Sequence, residues 1–205
     1  MDKNKISEGI NYLKQNDHIL SAVIERAGPC TLVPHYDYFG ELVSSIAGQQ
    51  LSVKAADSIL KKMKMLCGEK FLPEVITGLS HDELRGCGLS NPKVRYIKDL
   101  AEKVASGELD PEKTASLPDE EVIKELTKVK GIGIWTCHMF LIFTLGRPDV
   151  LPYGDLGIKR AIAKHYGFES YPDENQVKEL SVRFKWSPYN TIASWYLWKS
   201  LEFND

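Results

Sequence analysis

The chain has little of what marks a secreted, membrane-bound or metal-built protein. Its four cysteines, Cys30, Cys67, Cys87 and Cys137, stand far apart with no C-x-x-C pair. That spacing does not suggest a zinc site or an iron–sulfur cluster. Scattered thiols without a secretion signal fit a reducing cytosol or nucleus. Met1–Asp17 is too polar for a signal peptide, and no apolar run is long enough to span a bilayer, so no membrane partner is expected. The five histidines form no ligand pattern; His138, on an apolar helix, reads as a satisfied core residue. A P-loop, a dinucleotide fingerprint and a Ser–His–Asp order are all lacking. Alternating strand patterns are scarce, and Thr31–Val33 is at best a short extended piece. There is no repeat, low-complexity tract or Gly/Ser linker. Neither sign of charge dominates, with 26 basic and 28 acidic residues in 205.

What is present is helical periodicity almost throughout. Ser52 can cap a helix running to about Cys67, where Gly68 stops it. Ser80 with Glu83 has the form of a capping box. Asn91–Pro92 opens a helix with Val94, Ile97, Leu100, Ala101 and Val104 at core spacing. Pro118 and the acids Asp119, Glu120 and Glu121 open another. Ile132–Leu145, bounded by Lys130 and Arg147, reads as a buried central helix. Ser187–Pro188 begins the last helix, which carries Trp195 and Trp198, one of them expected in the core. The pattern predicts an all-α protein of short helices. Loop residues divide it into a central lobe over 36–125 and a second lobe of 1–35 with 126–205, with a cleft between the two.

The densest functional signal is VKGIGIWTCHMFLIFTLGRPDVLPYGD, residues 129–155. A G-x-G turn opening a helix tightens the backbone and points N–H groups outward, where helix dipole and unfilled donors favour a phosphate oxygen. Between Glu125 and Glu169 there are six basic residues (Lys128, Lys130, Arg147, Lys159, Arg160 and Lys164) against two acids, Asp149 and Asp155. A basic strip with an isolated acid points to a polyanion partner and a cationic reaction centre. On spacing, Asp155 caps a helix over Leu156–Tyr166.

These residues carry a resemblance. LTKVKGIGIWT at Leu126–Thr136 resembles the helix-hairpin-helix motif, and the acid in LPYGDLGIKR matches the placement of the catalytic aspartate in the DNA glycosylases built on it. AGQQLSVKAA at Ala47–Ala56, GLSNPKVRYIKDLA at Gly88–Ala101 and SPYNTIASWYLWKS at Ser187–Ser200 resemble its alkylpurine branch, 3-methyladenine DNA glycosylase II. The resemblance covers roughly residues 36–200 and implies the two-lobed helix-hairpin-helix glycosylase fold. The β-rich N-terminal lobe of some larger members is expected to be absent.

It further implies that Asp155 is the catalytic carboxylate, compatible with capping because a capping carboxylate is rigidly held. Trp135 stands where bifunctional relatives carry a nucleophilic lysine, so a monofunctional enzyme using water is expected. Trp135, Met139 and Trp198 would line the base pocket; Met139 departs from the tyrosine common at that position. Gln50 and Leu51 match the wedge inserted into DNA. Gly131, Gly133, Ser90, Asn91, Lys93, Lys159 and Arg160 would meet the DNA backbone. The resemblance implies no required cofactor, and a structural Na or K ion on the hairpin carbonyls of Thr127, Val129 and Ile132, although Lys130 replaces the proline of many members. The expected partner is damaged double-stranded DNA, met by a monomer in the cytoplasm (nucleoid) of a prokaryote or the nucleus of a eukaryote. Rival readings are the same fold excising an oxidised purine, hypoxanthine or uracil, a non-catalytic module that binds distorted DNA, and a helical protein unrelated to DNA.

Overall fold

The computed structural model describes residues 1–203 and contains no strand among them. Its α-helices are α1 (Lys3–Asn16), α2 (His18–Ala27), α3 (Tyr38–Gly48), α4 (Val53–Cys67), α5 (Pro73–Gly78), α6 (His81–Gly86) and α7 (Asn91–Ala105). They continue with α8 (Pro111–Ala115), α9 (Asp119–Leu126), α10 (Ile134–Met139), α11 (Leu156–Tyr166), α12 (Glu174–Arg183) and α13 (Asn190–Ser200). None is long and apolar enough to cross a membrane. The chain forms two compact units, Met1–Pro34 with the segment from Leu141 onward, and His35–Phe140.

Local chemistry explains most helix ends. Ser52 Oγ accepts from the Ala55 N–H, and α4 stops at Gly68 with φ 93°. Ser80 and Glu83 close both bonds of the capping box at α6. Helix α7 buries Val94, Ile97, Leu100 and Ala101 on one face, against α3, α5 and α6. Asp155 caps α11 by accepting from the Ile158 N–H.

The unit from Leu141 is organised around a buried acid. Asp17 ends α1 and caps α2, accepting from the Ile19 and Leu20 N–H groups at 3.0 and 2.9 Å. The Tyr166 hydroxyl and the Trp186 indole N–H also donate to it, at 2.6 and 2.8 Å. A fully buried carboxylate is tolerable because four donors replace its water. Burial, and then the Asp17 charge, push the Tyr166 phenol well above its ordinary value, so it remains a donor.

Three expectations are corrected. The fully buried tryptophan is Trp186, which the buried Asp17 holds through its indole N–H; Trp195 and Trp198 are both half-buried against the core of this unit. The segment Ile132–Leu145 is not one buried α-helix. Ile134 and Trp135 are exposed, α10 lasts only to Met139, and Phe140–Thr144 continue as a π-helix, a form that favours functional sites. The boundary between units also falls at Phe140 rather than near 125, because the glycine hairpin packs against α7.

Candidate active site

In the unit from Leu141, two hydrogen bonds converge on one oxygen of Asp155. Oδ1 accepts from the Ile158 N–H at 2.9 Å and from the Trp198 indole N–H at 2.8 Å. The first bond belongs to α11 and the second to α13, so the carboxylate is fixed from two helices. Gly157 leaves room for this contact: a Cβ there would lie 3.0 Å from both Asp155 Oδ1 and Trp198 Cδ1. Phe143 packs on Trp198 with ring centroids 5.6 Å apart and planes tilted by 30°. The result is a half-buried acid beside an aromatic pair.

Helix α13 also holds the loop leading to that acid. Thr191 Oγ1 donates to the Arg147 carbonyl at 2.7 Å and accepts from the Val150 N–H at 3.1 Å. Asp149 accepts from the Ser187 hydroxyl and the Asn190 side-chain amide, each at 2.6 Å. One helix therefore anchors the loop by its N-terminus and Asp155 by Trp198. Of the two acids in the basic segment, Asp149 is engaged in tying the loop. Lys159, half-buried, and Arg160, exposed, lie on α11 beyond Asp155.

In the unit His35–Phe140 the hairpin is set by shape. Gly131 has φ 81°, and a Cβ on it would stand 2.1 Å from Cδ2 of Tyr96 on α7. Both the backbone and the ring demand glycine. Next to it, Asp99 accepts the Lys130 backbone N–H at 3.0 Å and pairs with the Lys130 ammonium at 3.0 Å. Burial opposes the charged form of Asp99, but the Lys130 N–H and ammonium outweigh it and hold the carboxyl below its ordinary value. Gly133 caps α10 and is exposed, as is Gly131. Trp135 is 44% exposed, and Met139, half-buried, follows one turn later on the same face. Val129 and Ile132 are buried, with the Ile132 N–H donating to the Val129 carbonyl at 3.1 Å; Thr127 ends α9.

The remaining candidates surround the turn after α3. Gln50 is exposed with φ 56°, and Leu51 is 42% exposed. Ser90 caps α7, and Asn91 is exposed beside it. Lys93 does not point its ammonium outward: Nζ donates to the carbonyls of Ala47 and Gln49 at 2.8 and 2.7 Å. Sequence reasoning passed over Phe143, Gly157, Tyr96 and Asp99, and it gave Gln49, within the wedge stretch, no role. Only Gly157 carries a local signal, a poor helix former in the first turn after an acid.

Residues 43–185 match the HhH-GPD superfamily of base excision DNA repair proteins. The chain belongs to this family. It is 33% identical over 195 residues to the alkylbase DNA glycosidase-like protein mag2 of Schizosaccharomyces pombe, covering 92% of this chain and 90% of that protein. The fold is similar to that of the S. pombe 3-methyladenine DNA glycosylase Mag1 in complex with abasic DNA, with a TM-score of 0.84, 33% identity, and coverage of 94% of this chain and 95% of that one. It is also similar to a DNA-3-methyladenine glycosidase from Bacillus halodurans, with a TM-score of 0.82, 38% identity, and coverage of 95% and 89%.

Proposed function

We propose that this protein is a monofunctional DNA glycosylase that excises alkylated purines, of the 3-methyladenine and 7-methylguanine type, from damaged double-stranded DNA. It acts as a monomer, leaves an abasic site, and works wherever its substrate DNA resides, nucleoid or nucleus. The observation that carries the reading is the Asp155 carboxylate pinned through Oδ1 by two donors beside an aromatic pair. Relatives named for the excision of 3-methyladenine support the choice of base.

Cleaving the N-glycosidic bond develops positive charge at C1′, as in an oxocarbenium-like transition state. A carboxylate already oriented by Ile158 and Trp198 stabilises that charge without reorganising, and it orients the attacking water. A purine alkylated at N3 or N7 is itself cationic, hence a good leaving group that needs no strong general acid. The indole faces of Trp198 and Trp135, with Met139 beside the latter, suit such a cation through cation–π attraction. Water is the nucleophile because tryptophan occupies position 135, where lyase-competent relatives carry lysine.

Reaching the bond requires turning the nucleotide out of the duplex, at a cost of a few kcal/mol that is lower for damaged pairs. Gln50 and Leu51 fill the gap as the wedge. The N–H groups of Gly131 and Gly133 receive phosphate, with Ser90, Asn91, Lys159 and Arg160 as further backbone contacts. No cofactor is needed for hydrolysis. The hairpin carbonyls of Thr127, Val129 and Ile132 are neutral oxygen donors, and Val129 O keeps a lone pair beyond its bond from Ile132. This set fits a Na or K ion, which would add positive charge where the phosphate docks.

The test is base release from methylated duplex DNA by wild type and Asp155→Asn, with chromatographic identification of the free base. Asparagine preserves the cap, so the variant stays folded. Wild type releases methylpurines, and the variant loses about 10²–10³-fold, the scale of one lost electrostatic stabiliser. DNA binding without release by either protein would overturn the reading in favour of a binding module. Release of another base would move the specificity while keeping the chemistry.

A further inference from the structure

The turn that carries Gln50 and Leu51 is held by side chains that do not themselves face outward. Helix α3 ends at Gly48, and the next residues would leave its last carbonyls without partners. Lys93, near the start of α7, supplies one ammonium to two of them, Ala47 O at 2.8 Å and Gln49 O at 2.7 Å. Gln49 is held a second time through its side chain: Nε2 donates to the Gly131 carbonyl at 2.9 Å and to Thr136 Oγ1 at 3.4 Å. Between these anchors Gln50 adopts φ 56°, a left-handed conformation that a side chain occupies only when its surroundings enforce it. Leu51 follows with its N–H on the Gly48 carbonyl at 3.1 Å, and Leu51 and Val53 remain 42% and 79% exposed. An exposed apolar tip thus sits on a left-handed turn anchored by two buried-facing side chains, Lys93 and Gln49.

We propose that Lys93 and Gln49 are positioning residues that lock the Gln50–Leu51 turn in its inserting conformation, and that Lys93 is not a phosphate contact. This rests on the glycosylase reading above. Three arguments support it. The Lys93 side chain is half-buried, and burial lowers its pKa, as befits an ammonium directed at carbonyls rather than water. Two charge-assisted bonds to neutral carbonyls occupy most of its donor capacity. And a pre-formed wedge avoids the ordering cost that a floppy loop would incur at insertion, in a step that must already unstack a base pair.

The experiment uses a duplex with one 7-methylguanine and 2-aminopurine as its neighbour, so that nucleotide extrusion reads as a fluorescence rise. Wild type, Lys93→Met, Lys93→Arg and Gln49→Met are compared in fluorescence, single-turnover excision and the salt dependence of binding. For Lys93→Met the expectation is an excision rate down about tenfold, the scale of one hydrogen-bonded anchor. The fluorescence rise is smaller and the salt slope unchanged. Pairing the lesion opposite an abasic position, which makes extrusion cheap, restores most of the Lys93→Met rate, an effect that a merely structural loss would not show. Gln49→Met behaves likewise, and Lys93→Arg retains more activity than Lys93→Met.

The proposal is overturned if Lys93→Met flattens the log–log salt slope by about 0.9, the signature of one lost phosphate contact, with extrusion intact. It is equally overturned if both Met variants extrude and excise as wild type does, or if the unpaired substrate fails to restore the rate. A wild type that neither extrudes nor excises this lesion would instead remove the glycosylase reading itself.

Discussion

Asp155 and Gly131 are placed by opposite physics. Asp155 sits where directional bonds put it: an α11 N–H and an α13 indole meet at one oxygen. Gly131 sits where shape puts it, with φ 81° and the Tyr96 ring where any side chain would begin. A site built from donors fails when a donor is removed, and here it also needs Gly157 to leave the two donors room. A site built from close packing tolerates changes of polarity and fails when an atom is added. Under the function proposed above the difference suits the two tasks: chemistry at a sugar needs a carboxylate aimed to a fraction of an ångström, whereas gripping a phosphate with backbone N–H groups needs the backbone itself to come close.

The largest expected effect breaks the shape-built side. Gly131→Ala adds about 1–2 kcal/mol for the left-handed backbone and about 1–3 kcal/mol for the forced repacking of Tyr96. Thermal or denaturant unfolding should register the sum, and affinity for abasic duplex should fall with it. Adding Tyr96→Ala to Gly131→Ala recovers the repacking part in a double-mutant cycle while leaving the backbone part. If Gly131→Ala alone is neutral, the hairpin is not set by shape and the contrast fails.

A smaller effect tests the donor-built side. Trp198→Phe keeps an aromatic face against Phe143 but removes the N–H from Asp155. The single-turnover excision rate should fall about tenfold, the equivalent of one charge-assisted bond, with substrate affinity nearly unchanged and unfolding stability lowered by about 1 kcal/mol for the same lost bond. Trp198→Ala loses the face as well and should weaken substrate binding. Equal losses in both variants, expressed as affinity, would make Trp198 a wall of the base site and nothing more.

This contrast also sorts what was legible in the sequence. Asp155 as the cap of Leu156–Tyr166, the Ser80–Glu83 box and the glycine turn are encoded within a few residues, so local rules read them. The HhH-GPD family and its all-helical fold were legible from separated motifs. The Asp155–Trp198 bond joins residues 43 positions apart, and no periodicity announces it. The buried Asp17 was invisible for the same reason: its donors Tyr166 and Trp186 arrive from the far end of the chain. Lys93 was expected to meet DNA because its stretch resembles a DNA-contacting loop of the family, and only the third dimension shows its ammonium on two carbonyls.

The smallest expected effect sharpens the comparison where it is least pure, because beside the shape-built Gly131 lies a polar clamp. Asp99 is 13% exposed and Lys130 is 73% exposed, so the ammonium lies largely in water and its pairing contributes little. The backbone N–H of Lys130, bonded to the same carboxylate, is the stronger half. Lys130→Met, which keeps that N–H, should therefore cost less than about 0.5 kcal/mol. Asp99→Asn, which removes the charged acceptor, should cost about 1–2 kcal/mol at neutral pH. Because Asp99 is held below its ordinary value of 3.8 when folded, its contribution is present above that value and is lost as pH falls through the lower, folded one. The unfolding midpoints of wild type and Asp99→Asn should accordingly lie apart at pH 7 and converge in acid, and the smaller gap left by Lys130→Met should close over the same range, because its ion pair also needs an ionised Asp99. A Lys130→Met cost equal to that of Asp99→Asn would put the side-chain ion pair, not the backbone bond, in charge of the clamp.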